Sequence, residues 1–227
     1  MEASGQRRAT LVMLQHHGAP HSLPETSIGR HNGFLSMTVG ISLMTIVRTL
    51  CLVVSLVGFA GAGFADQTDP RLDALFGRLK AASGPAESVS IEGEIWAIWL
   101  VAPDEATQSR LDSGIDAMGR GDLAAALEAF DEVVALAPGF AEGWNKRATV
   151  HYLLNNLQHS LEDIAATLKL EPRHFGALSG RGLVFIKLRD LEQALSAFEE
   201  VLEVSPQMTS ARANIDAIRK VLGQREI

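Results

Sequence analysis

The sequence predicts an all-α protein built as a helical-repeat solenoid. The first observation is a period: Pro138, Pro172 and Pro206 stand 34 residues apart. The second is that other columns keep that register. They are Asp122, Asn156 and Asp190; Ala126, Ser160 and Ala194; Phe130, Ile164 and Phe198; Gly114, Ala148 and Gly182; and Leu136, Leu170 and Val204. The third is that apolar residues inside each unit recur at three and four, the helical spacing. A fixed period of this length is the mark of a repeat array.

Taken in order, residues 1–43 read as a disordered leader or a mis-assigned start. They hold His16, His17, His21 and His31, but no Cys or carboxylate cluster that would complete a metal site. Residues 44–65 read as a secretory signal peptide. Arg48 precedes the uncharged run from Leu50 to Phe59, and small residues follow up to Ala65. The expected cut lies between Ala65 and Asp66, with a cut after Ala62 or an uncleaved membrane anchor as alternatives. An anchor would hold Arg48 near its middle, which is costly in a bilayer.

Residues 66–106 are expected to form a degenerate helical hairpin that caps the N-terminal end of the array. Leu72, Leu75, Phe76 and Leu79 trace one face, and Ser83-Gly84-Pro85 breaks it. Ile91, Ile95, Ile98 and Trp99 trace the second. A strand pair through residues 88–100 is the alternative, because isoleucine and tryptophan also favour strands. Trp96 and Trp99 are candidates either for an exposed ligand platform or for packed core.

Residues 107–208 hold three repeats, 107–140, 141–174 and 175–208. Each is helix, tight turn, helix. The turns fall at Gly121-Asp122, Asn155-Asn156 and Arg189-Asp190. There the Asp or Asn can cap the second helix, and the proline ends it. The small columns let the two helices approach closely, and the Phe or Ile column fills the space beside them. One hairpin cannot bury its apolar face alone, so neighbours stack. Residues 209–227 form a capping helix, with Ala211, Ile215, Ile218 and Leu222 inward and Arg212, Arg219 and Lys220 outward.

These columns resemble the tetratricopeptide repeat family. Trp144, Ala148, Ser160, Ile164 and Pro172 carry the likeness in the second unit. Leu178, Gly182, Phe185, Ala194, Phe198 and Pro206 carry it in the third, and Gly114, Ala117, Ala126, Phe130 and Pro138 in the first. The chain departs at Arg110, where the family has Trp, and at Ser113, Arg147 and Arg181, where it has Leu. The stretches 142–149 and 170–178 also resemble uncharacterised exported tetratricopeptide-repeat proteins of Gram-negative bacteria. That likeness implies a periplasmic location, or an inner-membrane anchor facing the periplasm if the leader is retained.

The resemblance implies a non-catalytic scaffold or adaptor that binds a protein or peptide segment in a concave groove lined by the first helices. The implied groove positions are Leu111, Ile115 and Met118; Asn145, Thr149 and Tyr152; and Ser179, Leu183 and Ile186. Tyr152 is the expected anchor. The set lacks the Lys/Asn/Arg pattern with which some family members clamp a terminal carboxylate, so an apolar or amphipathic segment is expected. Arg173 and His174, at a hairpin junction, are placed either to meet a partner carboxylate or to hold the junction by local hydrogen bonds.

No nucleic-acid partner is expected. Residues 66–227 carry 16 Lys/Arg against 25 Asp/Glu, a net charge of −9, whereas a nucleic-acid surface needs a basic stripe. The only cysteine, Cys51, lies in the leader, which leaves no thiol chemistry beyond it. No Gly-rich phosphate loop, nucleophile elbow or zincin helix occurs. No cofactor, metal or catalytic residue is therefore assigned. An enzyme using the face of His159, Glu162 and Asp163 is the remaining catalytic alternative, and His151 is expected to be a packed histidine.

Overall fold

The computed structural model describes residues 66–223. The expected leader and the expected signal peptide, residues 1–65, lie outside them. Nine α-helices and no strand occur among the described residues. They are α1 (Arg71–Ala81), α2 (Pro85–Trp99), α3 (Glu105–Gly119), α4 (Leu123–Leu136), α5 (Ala141–Leu153), α6 (Leu157–Leu170), α7 (Phe175–Leu188), α8 (Leu191–Val204) and α9 (Thr209–Gly223). Helices α3–α8 form the three repeats in antiparallel pairs, and α9 packs on α8.

The repeat turns share one backbone construction. Gly121, Asn155 and Arg189 take φ of 77°, 63° and 64°. That left-handed step ends each first helix. The following N–H then reaches back to a carbonyl: Asp122 to Ala117, Asn156 to His151, Asp190 to Phe185. Asp122 and Asp190 cap the next helix through the N–H groups of Ala125 and Gln193, each at 3.1 Å. Asn156 does not: its side chain makes no capping bond, so the expected cap holds in two repeats of three.

Inside each repeat the small columns do what their size permits. A Cβ on Gly114 would lie 2.5 Å from the Phe130 ring, and one on Gly182 2.6 Å from the Phe198 ring. These contacts require glycine. In the middle repeat the Ser160 hydroxyl donates to the Ala148 carbonyl at 2.9 Å across the same close approach. The polar residues that replace the family leucine also find partners. Arg147 forks onto Asp163 at 2.8 and 2.7 Å and reaches Asp131 at 2.8 Å. Arg181 pairs with Glu200 at 2.6 Å.

Residues 66–106 form the expected helical hairpin, and one expectation about its place is corrected. Residues 85–99 are helical, so the alternative strand pair does not form, and α2 opens with Pro85 in its first turn after an extended Gly84. Ser88, Ile91, Ile95 and Ile98 with Trp99 are buried at helical spacing, so the period outweighs the strand preference of isoleucine. The hairpin also does not act as an end cap on the first repeat. Its core is continuous with that of the second and third repeats and of α9, while the first repeat has its own cluster around Leu111, Phe130 and Val133. The hairpin runs along the edge where second helices end and first helices begin. Gln67 bonds Gly139 and Ala141 at the first junction. Arg173 bonds Asp73 at the second, at 2.7 Å. Ser88 and Glu92 bond Ser205 at the third, at 3.1 and 2.8 Å. Its aromatic face matches this edge, where His174, Phe175 and a bare Gly176 stand ready to pack against indole rings.

Candidate partner-binding site

The expected groove residues fall into two groups. Ile115, Met118, Thr149 and Ile186 are half-buried, whereas Leu111, Asn145, Tyr152, Ser179 and Leu183 are buried. Tyr152, the expected anchor, is 8% exposed and already engaged. The Lys187 ammonium lies 3.8 Å from its ring centroid and donates to its backbone carbonyl at 2.8 Å. Burial lowers the Lys187 pKa. Thr149 turns its hydroxyl back onto the Asn145 carbonyl at 2.9 Å, a bond within its own helix.

Asn145 belongs to a buried cluster that the sequence did not reveal. Its amide donates to Glu142 Oε2 at 2.9 Å. The same oxygen meets His174 Nε2 at 3.0 Å, and Glu142 Oε1 meets Lys146 Nζ at 3.1 Å. His174 is the N-cap of α7: its Nδ1 accepts from the Ala177 N–H at 3.1 Å. An accepting Nδ1 places the ring proton on Nε2, facing Glu142, so the imidazole is neutral. Burial pushes the Lys146 ammonium down, and the charge of Glu142 opposes that shift.

The N-terminal hairpin closes over this cluster. Trp99 stacks on the His174 ring with centroids 4.0 Å apart and planes 9° apart. Trp96 stands edge-on to His174 and Phe175, both at 5.5 Å. Trp96 fits because residue 176 is glycine: a Cβ there would lie 2.7 Å from the indole. Arg173 continues the contact, with its guanidinium 4.1 Å over the Phe76 ring and forked onto Glu171 at 3.0 Å. Of the two readings of Arg173 and His174, the junction held by local hydrogen bonds is the one formed. Of those for Trp99, packed core is the one formed, at 1% exposure, with the half-buried Trp96 packed against it. Arg173 and the two tryptophans stand out in the sequence, but they lie too far apart along the chain for any local spacing to join them.

The alternative catalytic face is differently arranged. Asp163 is 4% exposed and committed to Arg147, and Glu162 accepts from Gln158 at 3.1 Å. His159 lies on the surface with its ring 5.2 Å from that of His151. His151 is half-buried and 3.9 Å from Asp163, with burial lowering its pKa. Among the described residues, no group of three or more His, Cys, Asp or Glu side chains is arranged to hold a metal ion. No described helix is long and apolar enough to cross a membrane.

Stacked antiparallel helix pairs of one period define a helical-repeat solenoid. The family model described as tetratricopeptide repeat matches residues 111–162 and 159–209. The chain is 34% identical over 156 residues to a TPR repeat-containing protein of Rhizobium etli, covering 68% of this chain and 76% of that relative. This chain belongs to the tetratricopeptide repeat family. Among solved structures it resembles the Sgt2 TPR domain of Aspergillus fumigatus, with a TM-score of 0.52, 18% identity and 55% and 84% of the two chains covered. It also resembles the first TPR of Spaghetti (RPAP3) bound to the HSP90 peptide SRMEEVD, with a TM-score of 0.50, 21% identity and 52% and 93% covered. At these identities the likeness concerns the fold.

Proposed function

We propose that this protein is an exported, non-catalytic adaptor whose first helices α3, α5 and α7 hold a segment of a partner protein. The observation that carries the reading is the stack of three repeats whose first helices present a mixed polar and apolar set, from Ile115 and Met118 through Thr149 to Ile186. Family membership supports it, because such stacks make extended binding surfaces. One structural relative holds the acidic peptide SRMEEVD. Here the nearby ammonium groups are engaged, Lys146 by Glu142 and Lys187 by the Tyr152 carbonyl. An apolar or amphipathic segment therefore suits this surface better than a terminal carboxylate. Export rests on the order of Arg48, the apolar run and the small residues before Asp66.

The test uses half-buried positions, Thr149 and Ile186, the second packed on the edge of the core, so recovery is compared between folded proteins. Thr149→Arg with Ile186→Lys is expected to abolish recovery of the partner that co-purifies with tagged wild type from envelope extract. The helical circular dichroism and the melting temperature should stay near wild type. Undiminished recovery by the folded double variant contradicts the groove reading. The N-terminus of the purified protein checks export in the same preparation: it should begin at Asp66, and a chain retaining the apolar run overturns the cleavage.

A further inference from the structure

The α1–α2 hairpin shares its apolar core with the second and third repeats, but its contact with the second repeat junction also carries buried polar groups. Within repeats the helices meet through close apolar contacts, Phe130 on Gly114 and Phe198 on Gly182. Under α2 the floor also holds a buried ion pair, Glu142 with Lys146, both 1% exposed, and the fully buried imidazole of His174 bonded to Glu142. Burying charged groups is costly even when they are paired, so a permanent core tends to replace them. Interfaces between separable parts of a chain remain more polar. The roof shows the same character. The Trp99 Nε1–H is buried with no hydrogen-bond partner, a donor that water would satisfy if the indole left its place. Beside the polar ties of Asp73 to Arg173 and of Ser88 and Glu92 to Ser205, the covalent link from the hairpin to the array is residues 100–104. There Asp104 caps α3 through the Thr107 N–H and hydroxyl, at 2.8 and 2.9 Å. The start of α3 is thus secured by its own residues, whatever α2 does.

The floor also specifies what it accepts. His174 offers a flat ring face, Gly176 leaves room for an indole edge, and the Lys146 ammonium lies 5.5 Å from the Trp96 ring. Trp96 and Trp99, one helical turn apart, fill these places together. We infer that α1–α2 is a detachable cover, and that the surface beneath it, formed by Glu142, Lys146, His174, Phe175 and Gly176, docks an amphipathic partner helix carrying two aromatic side chains three residues apart, which displaces α2. This deepens the adaptor reading and rests on it only for the existence of such a partner.

The probe is a labelled synthetic peptide spanning residues 85–100 of this chain, followed by fluorescence anisotropy. In wild type the tethered α2 competes at an effective concentration on the order of millimolar. The full chain carrying Trp96→Ala and Trp99→Ala has a weakened cover and is expected to bind the peptide at least tenfold more tightly. Adding Gly176→Leu to that variant fills the indole space and should remove the binding. Equal affinity for wild type and variant, or no binding by a variant whose repeats remain folded by circular dichroism, overturns the inference. Loss of the repeat fold in the variant also overturns it, since α2 would then be permanent core. Hydrogen exchange on the unsubstituted chain gives an independent reading: α1–α2 should open as a unit ahead of α5–α8, and equal protection contradicts a detachable cover. Peptide binding is separable from partner capture by Thr149 and Ile186, so retained capture with no peptide binding removes the cover alone.

Discussion

Arg147→Ala is expected to lower the unfolding free energy by about 3–5 kcal/mol, the usual cost of leaving a buried charge without its partner. Arg147 bonds both oxygens of Asp163 and one of Asp131. Asp163 is 4% exposed, so it loses its counter-charge where water cannot replace it. The Asp163 hydrogen bond is also the largest cause holding the Arg147 pKa up. The loss comes from the stranded carboxylate, and a second variant separates it from lost packing. Arg147→Leu with Asp163→Leu removes both charges and should recover most of the stability, because apolar pairs often match buried ion pairs. Urea unfolding followed by circular dichroism measures both, with the cycle giving the coupling. A single variant within about 1 kcal/mol of wild type would contradict the assignment.

Phe198→Ala is expected to cost about 3–5 kcal/mol through the cavity it opens between α7 and α8. Gly182→Ala alone should cost about 1–3 kcal/mol, because its methyl would meet the Phe198 ring. Combined, the two should cost clearly less than their sum, since the methyl then enters the vacated space. Additive losses in thermal or urea unfolding would mean that the two side chains are not the contact described.

The repeats were legible because their signals are local and repeated. The left-handed turn recurs at Gly121, Asn155 and Arg189, and the glycine–phenylalanine contacts recur between Gly114 and Phe130 and between Gly182 and Phe198. Each lies within one hairpin, so spacing alone reveals it. Arg147 and Arg181 read only as departures from a leucine column. Their partners sit on neighbouring helices, and Arg147 finds its two carboxylates sixteen residues away on either side. The hairpin was legible as helices but not in its placement. Trp99 meets His174, and Ser88 meets Ser205 across 117 residues of chain, distances at which no periodicity is expressed. The groove residues were legible as a face, but not in their burial. Tyr152 looks like a free aromatic anchor until Lys187 is seen to cover it.

This placement changes how the array should behave. A solenoid whose units touch only their neighbours frays from its ends. Here the two helices of the hairpin tie Arg173 and Ser205, and Gln67, just before α1, ties Gly139, so that one short segment of chain meets all three junctions. The placement is tested most directly by a cross-link between residues 88 and 205, whose hydroxyl oxygens lie 3.1 Å apart in the core. A chain carrying Cys51→Ser, Ser88→Cys and Ser205→Cys is oxidised at low concentration and read by non-reducing electrophoresis and intact mass. The fold predicts a disulfide within one chain, formed in nearly every molecule, with the helical spectrum retained. Thiols that stay free, or bridges formed only between chains, would contradict the folded-back hairpin.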